Sequence, residues 1–319
     1  MVARGRGLIY DEPSIAAVDT RTRDVLALGH DAAELVGRTA DHVVMVRPLN
    51  QGAISDFDMA ERMLRSVLAR CGVGRLGRLR VLMTVPAAAT SIERRALKQA
   101  VRGAGAGQVF LLESTMAAAI GLELPINEPM GSVVVDVGAG TCETGMISLG
   151  GVVALKALRI GGRDLDRAIA SQVRQKLDLV VSEQLAEDLK WKIASVDPGR
   201  AEVIAELHGR QTQTGIPDTG QVSSTLVSAA ISDLAAQMVQ GAASCLADAP
   251  PELAQDAIFE GIHLIGGGSR LDGFPALLEA GISVPVRAVS DPEHVVVEGA
   301  GRCLEDLDRL RPLFASADR

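Results

Sequence analysis

The alternation of apolar and polar positions divides the chain into strand and helix signals almost from its first residue. Residues 7–9 and 15–18 read as short strands around the turn residues Asp11, Glu12 and Pro13. Asp56 is placed to cap a helix reaching Arg70, in which Met59, Met63 and Val67 recur at helical spacing. Residues 81–85 form a continuous apolar run closed by Pro86, the pattern of a strand buried on both faces. Ser91 opens a helix with Ile92, Ala96, Leu97 and Val101 on one side. Residues 109–112 read as another buried strand and residues 116–120 as a short apolar helix.

From Gly131 the pattern changes. Residues 132–137 predict a strand, 138–141 a tight glycine turn, 143–148 a second strand, and 152–158 a third after Gly150 and Gly151. That succession is a β-meander and not a βαβ unit. Helices follow at 163–177, 183–195 and 223–247, separated by a polar stretch, 197–220, of short strands and loops. Residues 262–265 are a buried strand that runs into Gly266, Gly267 and Gly268, with a helix expected over 271–280, a strand over 284–289 and a last helix over 298–310. No tandem period of 20–50 residues is present.

Composition narrows the class. At 319 residues the chain is long enough for two domains. Only 2% of residues are aromatic, so the core is aliphatic and a stacking platform for single-stranded nucleic acid is nearly excluded. The net charge of −8 repels polyanions, which removes nucleic acid as a partner. Cys71, Cys142, Cys245 and Cys303 lie far apart, without zinc spacing or a disulfide framework. They read as reduced thiols of a cytoplasmic protein. No apolar run approaches 18 residues, and residues 1–7 lack the apolar stretch of a signal peptide.

Three segments carry candidate chemistry. In Asp136-Val137-Gly138-Ala139-Gly140-Thr141 the glycines let backbone N–H groups cradle an anion, and Asp136 can hold water on a Mg²⁺ ion. The same segment reads equally as a glycine hairpin with an exposed aspartate. A dinucleotide fingerprint is disfavoured, because a strand pattern follows instead of a helix. No GxxxxGK[ST] occurs. In Gly266, Gly267, Gly268 and Ser269, a strand ends in glycines ahead of a helix, which permits close approach by a planar or anionic ligand, or serves only a turn with positive φ. Glu187 and Lys190 share a helix face and offer an acceptor and a cation to a ribose or base, or form a surface ion pair. His30, His42, His208, His263 and His294 stand in no hydrolase motif.

The order Asp-x-Gly-x-Gly-Thr between strands, then a triple glycine before a helix, resembles the actin, sugar-kinase and chaperone ATPase fold. Finer wording is similar to the MreB/Mbl family of bacterial actins. It includes Arg47-Pro48-Leu49-Asn50-Gln51-Gly52, Glu93-Arg94-Arg95-Ala96, Met116-Ala117-Ala118-Ala119-Ile120-Gly121 and Arg159-Ile160-Gly161-Gly162. The resemblance spans essentially the whole chain. It implies two α/β lobes with mixed sheets flanked by helices. The first lobe is 1–124, with a small subdomain at 11–54 and the return of 296–319. The second is 125–295, with a small subdomain at 161–225. It implies ATP and Mg²⁺ in a cleft between lobes. Asp136, Gly138, Ala139, Gly140 and Thr141 would be the second phosphate loop, with Asp136 toward the metal. Gly266, Gly267, Gly268 and Ser269 would be the adenosine segment, Glu187 and Lys190 the nucleoside contacts, and Glu298-Gly299-Ala300-Gly301 the hinge helix. It also implies filaments of self or of a complete MreB-like relative, with envelope-synthesis proteins as further partners.

Departures from the family pattern carry their own expectations. The family opens on a strand bearing Asp-Leu-Gly-Thr-Ala-Asn, whereas this sequence starts at the later stretch Val2-Ala3-Arg4-Gly5-Arg6-Gly7. Family members read Glu-Glu-Pro before Met-Ala-Ala-Ala, whereas here the residues are Glu113-Ser114-Thr115, so the water-orienting glutamate falls on Ser114. Ala139 replaces a loop glycine. The segment 72–80 is basic but poor in apolar anchors, so direct membrane binding is expected to be weak or absent, with any attachment through partners. The leading expectation is a cell-shape cytoskeletal subunit with weak or degenerate ATP binding. Its rival is an active ATP-hydrolysing filament protein with a first phosphate loop upstream of Met1. A sugar kinase or chaperone is disfavoured by the absence of room for a substrate-binding insertion.

Overall fold

The structure is a computed structural model that describes residues 1–72, 79–307, 310, 313 and 314. The basic segment singled out above therefore lies largely outside the described residues, as does most of the tail after 307. The chain forms two compact units, Met1–Leu124 with His294–Arg319, and Pro125–Glu293.

The first unit holds a three-stranded antiparallel sheet in the order Val25–Leu28, Ala16–Asp19, Val43–Val46, and a parallel pair, Arg80–Val85 with Gln108–Glu113. Helix Phe57–Arg70 starts where Asp56 Oδ1 accepts from the Met59 N–H at 3.0 Å. Helix Ser91–Gly103 opens on a full capping box between Thr90 and Glu93. The apolar residues grouped on one side of it are not equally covered: Ile92 is 78% exposed, while Val101 at the far end is buried. Helices Ser114–Gly121 and Val295–Glu305 cross at Gly121 and Gly299, where each backbone lies against the other with no room for a Cβ.

The second unit is built on a five-stranded sheet in the order Gly151–Leu158, Cys142–Ser148, Ser132–Val137, Ile262–Ile265, Val286–Ala288. The meander supplies the antiparallel half and the last two strands add in parallel. Val133, Val135 and Val137 join an aliphatic core with Val227, Ile231 and Met238 of helix Ser224–Asp248, while Val134 is buried on the other face. A sheet covered on both sides explains the unbroken apolar runs in the sequence. The polar stretch 197–220 forms most of an antiparallel hairpin, Ile204–Gln211 with Pro217–Ser223. Helix Pro251–Glu260 has no counterpart in the sequence reading; Pro251 occupies its first turn, where proline is tolerated. Among the described residues no helix is long and apolar enough to cross a membrane.

Candidate nucleotide site

The meander delivers Asp136 to the end of strand Ser132–Val137, and the chain turns back at once through residues 138–141 into Cys142–Ser148. The Gly138 N–H donates to the Thr141 carbonyl at 2.9 Å and closes the turn. The turn's carbonyls are used by the next helix. Gly162 N–H donates to Gly138 O at 3.0 Å and Arg163 N–H to Ala139 O at 2.9 Å, so the first turn of helix Gly162–Leu177 is bolted to it. Among the described residues no hydrogen bond takes up the N–H groups of Ala139, Gly140 or Thr141. Three successive free donors on a glycine turn form an anion cradle.

Glycines close the junction from two sides. A Cβ on Gly161 would lie 2.5 Å from Gly140 N and 2.7 Å from Gly138 O. Gly266 has φ +79°, and a Cβ there would lie 2.5 Å from Asp136 Oδ1. Gly268 packs against Val137 just as tightly. The triple glycine thus touches the base of the turn, and the sequence-predicted segments 136–141 and 266–269 meet in one place. Gly267–Arg270 form a 3₁₀ turn, pinned where Ser269 Oγ donates to Gly266 O at 2.7 Å. The following helix, Phe274–Ile282, begins later than its apolar pattern suggests, after Gly273 in a left-handed conformation.

Asp136 is partly buried and faces Glu143 across the strands, itself 2% exposed. Burial first, and the Glu143 charge second, push the Asp136 carboxyl up to about 7. A divalent cation at this carboxylate would relieve both causes, and the residues present fit an Mg²⁺-bearing anion on the neighbouring N–H groups.

Glu187 and Lys190 do not act as the matched pair that their spacing suggested. Lys190 is buried and points inward: its Nζ lies 2.7 Å from Asp166 Oδ1 and donates to Gly162 O at 3.2 Å. Glu187 stays partly exposed on the same helix, Glu183–Ile193. Sequence reasoning singled out Gly161 and Gly162 only as part of a family motif, without a role at the turn, and missed Asp166. A signal for Asp166 was available, since a carboxylate sits in the stripe Leu165, Asp166, Ile169, Val173 that the helix buries.

In the first unit, Ser114 opens helix Ser114–Gly121. Glu113 is its N-cap residue, and its Oε1 accepts from Arg94 Nη2 at 3.0 Å in a largely buried pair. Arg94 also donates to the carbonyls of Ala87 and Ala89. Glu113 is thus committed to holding a loop. A cavity of about 330 Å³ lies elsewhere in this unit, lined by Val2, Leu68, Val81 and Leu304 among others, and none of the sequence-predicted site residues faces it.

The MreB/Mbl protein family matches residues 1–312. The cell shape-determining protein Mbl of Bacillus cereus is 37% identical over 308 residues, 96% of this chain and 92% of its own. The cell shape-determining protein MreB of Escherichia coli is 38% identical over 311 residues, 96% and 90% of the two chains. Among solved structures, MreB5 of Spiroplasma citri bound to ADP matches with a TM-score of 0.89 at 28% identity, covering 97% of this chain and 93% of that one. The MamK double helical filament matches with a TM-score of 0.78 at 20% identity over 94% of each chain, a likeness of fold. Sequence and structure together make this chain a member of the MreB/Mbl family with the actin-like ATPase fold.

Proposed function

We propose that the protein is a nucleotide-dependent cytoskeletal subunit that takes part in determining cell shape, assembling head to tail with itself or with an MreB-like relative. A heterologous contact whose rotation does not close yields a filament. The observation that carries the nucleotide reading is the glycine-lined junction, where the free N–H groups of Ala139, Gly140 and Thr141 stand beside Asp136. Phosphates would take those donors, Mg²⁺ would sit toward Asp136, and Gly266, Gly267, Gly268 and Ser269 would border the nucleoside. The same ligand class is supported by the ADP and AMPPNP carried by MreB5 of Spiroplasma citri. Envelope-synthesis proteins would be further partners, consistent with relatives named for cell shape.

ATP is held more weakly than in relatives with a full glycine loop, and its hydrolysis is slow. Ala139 adds a methyl group at the turn. Ser114 offers no carboxylate at the water-orienting position, and Glu113 is held by Arg94. A missing acid–base group costs about 10²–10⁴ in rate. Purified protein with Mg·ATP, followed together for sedimentation and phosphate release, is expected to pellet, alone or with an MreB-like relative. Its phosphate release should be about 10²-fold slower than that of a glutamate-bearing relative. A protein that stays monomeric beside such a relative would refute the assembly reading, and turnover equal to the relative's would refute the slow-hydrolysis reading.

A further inference from the structure

We propose that Asp166 is a positioning residue: ionised, it holds Lys190 against the Gly162 carbonyl and so fixes the turn 138–141 in the shape that receives phosphate. The proposal rests on reading that turn as the nucleotide cradle. It assigns Lys190 to the scaffold of the site instead of to the nucleoside.

The chain of contacts is short and continuous. Asp166 Oδ1 and Lys190 Nζ are 2.7 Å apart, with side-chain exposures of only 8% and 4%. Lys190 Nζ donates onward to Gly162 O, and a Cβ on Gly162 would lie 3.4 Å from that nitrogen. The Gly162 and Arg163 N–H groups then grip the carbonyls of Gly138 and Ala139. Residues 139–141 have their own N–H groups turned to no intramolecular acceptor among the described residues, so their orientation depends on what grips the carbonyl side. Moving the helix start by a fraction of an ångström re-aims three donors at once, and such donors are effective only when preorganised.

The energetics argue against a purely stabilising pair. Burial pushes the Asp166 carboxyl up to about 6, Lys190 pulls it back down, and Glu187 and Glu183 add to the rise. Helix Ser224–Asp248, packed on the other side of helix Gly162–Leu177, carries only Asp233 and Asp248 as charges. A carboxyl raised above its ordinary value contributes stability below that value and loses it as pH climbs through about 6. The ionised pair thus costs the fold stability at neutral pH, as buried pairs commonly do. Its function runs the other way, because only the ionised form holds Lys190. Global stability and order at the turn are therefore expected to change with pH in opposite directions.

Hydrogen exchange on the full-length, nucleotide-free protein reads the latch directly, and fluorescent-nucleotide competition by Mg·ATP reads its consequence. Asp166→Asn leaves Lys190 without its counter-charge and risks misfolding. The double variant Asp166→Leu with Lys190→Met replaces the pair by apolar side chains of similar size and keeps the packing. In that variant the Gly162 and Arg163 amides are expected to exchange about tenfold faster, with ATP affinity falling by a similar factor. In the parent protein, protection of those two amides, corrected for intrinsic rates, is expected to fall between pH 7 and pH 5. The double variant shows no such step. Unchanged exchange at Gly162 and Arg163 in a folded double variant overturns the proposal. Exchange that responds in a parent protein unable to bind ATP upholds the latch and overturns the nucleotide reading instead.

Discussion

Asp136→Asn is expected to stabilise the nucleotide-free protein at pH 8 by about 2–4 kcal/mol while removing Mg²⁺-dependent ATP binding. Asp136 is the penultimate residue of a buried strand, opposite Glu143, and its carboxyl is pushed up to about 7 by burial and by that neighbour. A carboxyl raised in the folded state contributes stability that is full below its ordinary value of 3.8 and lost as pH rises through about 7. At pH 8 the fold therefore bears a buried negative charge that asparagine removes. At pH 5 the parent carboxyl is protonated and the advantage of the variant shrinks. Urea midpoints for both proteins at pH 5 and pH 8 read this directly. A stability difference that does not grow with pH, or a variant that binds Mg·ATP as tightly as the parent, would contradict the role given to Asp136. Function sites commonly hold such a destabilised group because a ligand later relieves it. Here Mg²⁺ would lower the carboxyl back toward its ordinary range.

Gly299→Ala carries the other large effect, on the first unit. Gly299 lies against the Ala117 carbonyl and Gly121 against the Val295 carbonyl, at the crossing of helices Ser114–Gly121 and Val295–Glu305. The obstructing atoms are helix backbone and cannot rotate away as a side chain would. A methyl at Gly299 therefore forces the helices apart, with a cost of about 3 kcal/mol, at the upper end of overpacking substitutions. A surface alanine at Glu305 serves as control, since its partner Arg4 is solvent-exposed. Thermal unfolding of the two variants separates the cases: a Gly299→Ala protein melting with the parent would mean that the crossing is looser than its geometry.

Most of the site's frame was legible in the sequence because it is local. A strand ending in Asp136, a glycine turn and a second strand follow one another without interruption, so alternation and turn chemistry predict them together. Gly266, Gly267 and Gly268 were legible for the same reason. The sequence did not show that Gly161 and Gly162 pack onto the turn, since close approach between distant glycines leaves no periodic trace. The partner of Lys190 was not legible because it lies on a different helix: spacing sets Lys190 beside Glu187, whereas the structure places it against Asp166. Ile92 was grouped with the apolar side of helix Ser91–Gly103, but the residues that helix buries, Ala100 and Val101, lie on another phase of the helix, and Ile92 is left 78% exposed.

The N–H groups of residues 139–141 are expected to receive the phosphates of a nucleotide, which amide NMR of protein labelled with ¹⁵N at glycine, alanine and threonine reads during titration with Mg·ATP. The largest shifts are expected at Ala139, Gly140 and Thr141, with smaller ones at Gly267 and Gly268. Binding that leaves residues 139–141 unshifted, or saturating Mg·ATP that shifts no amide at all, would contradict this.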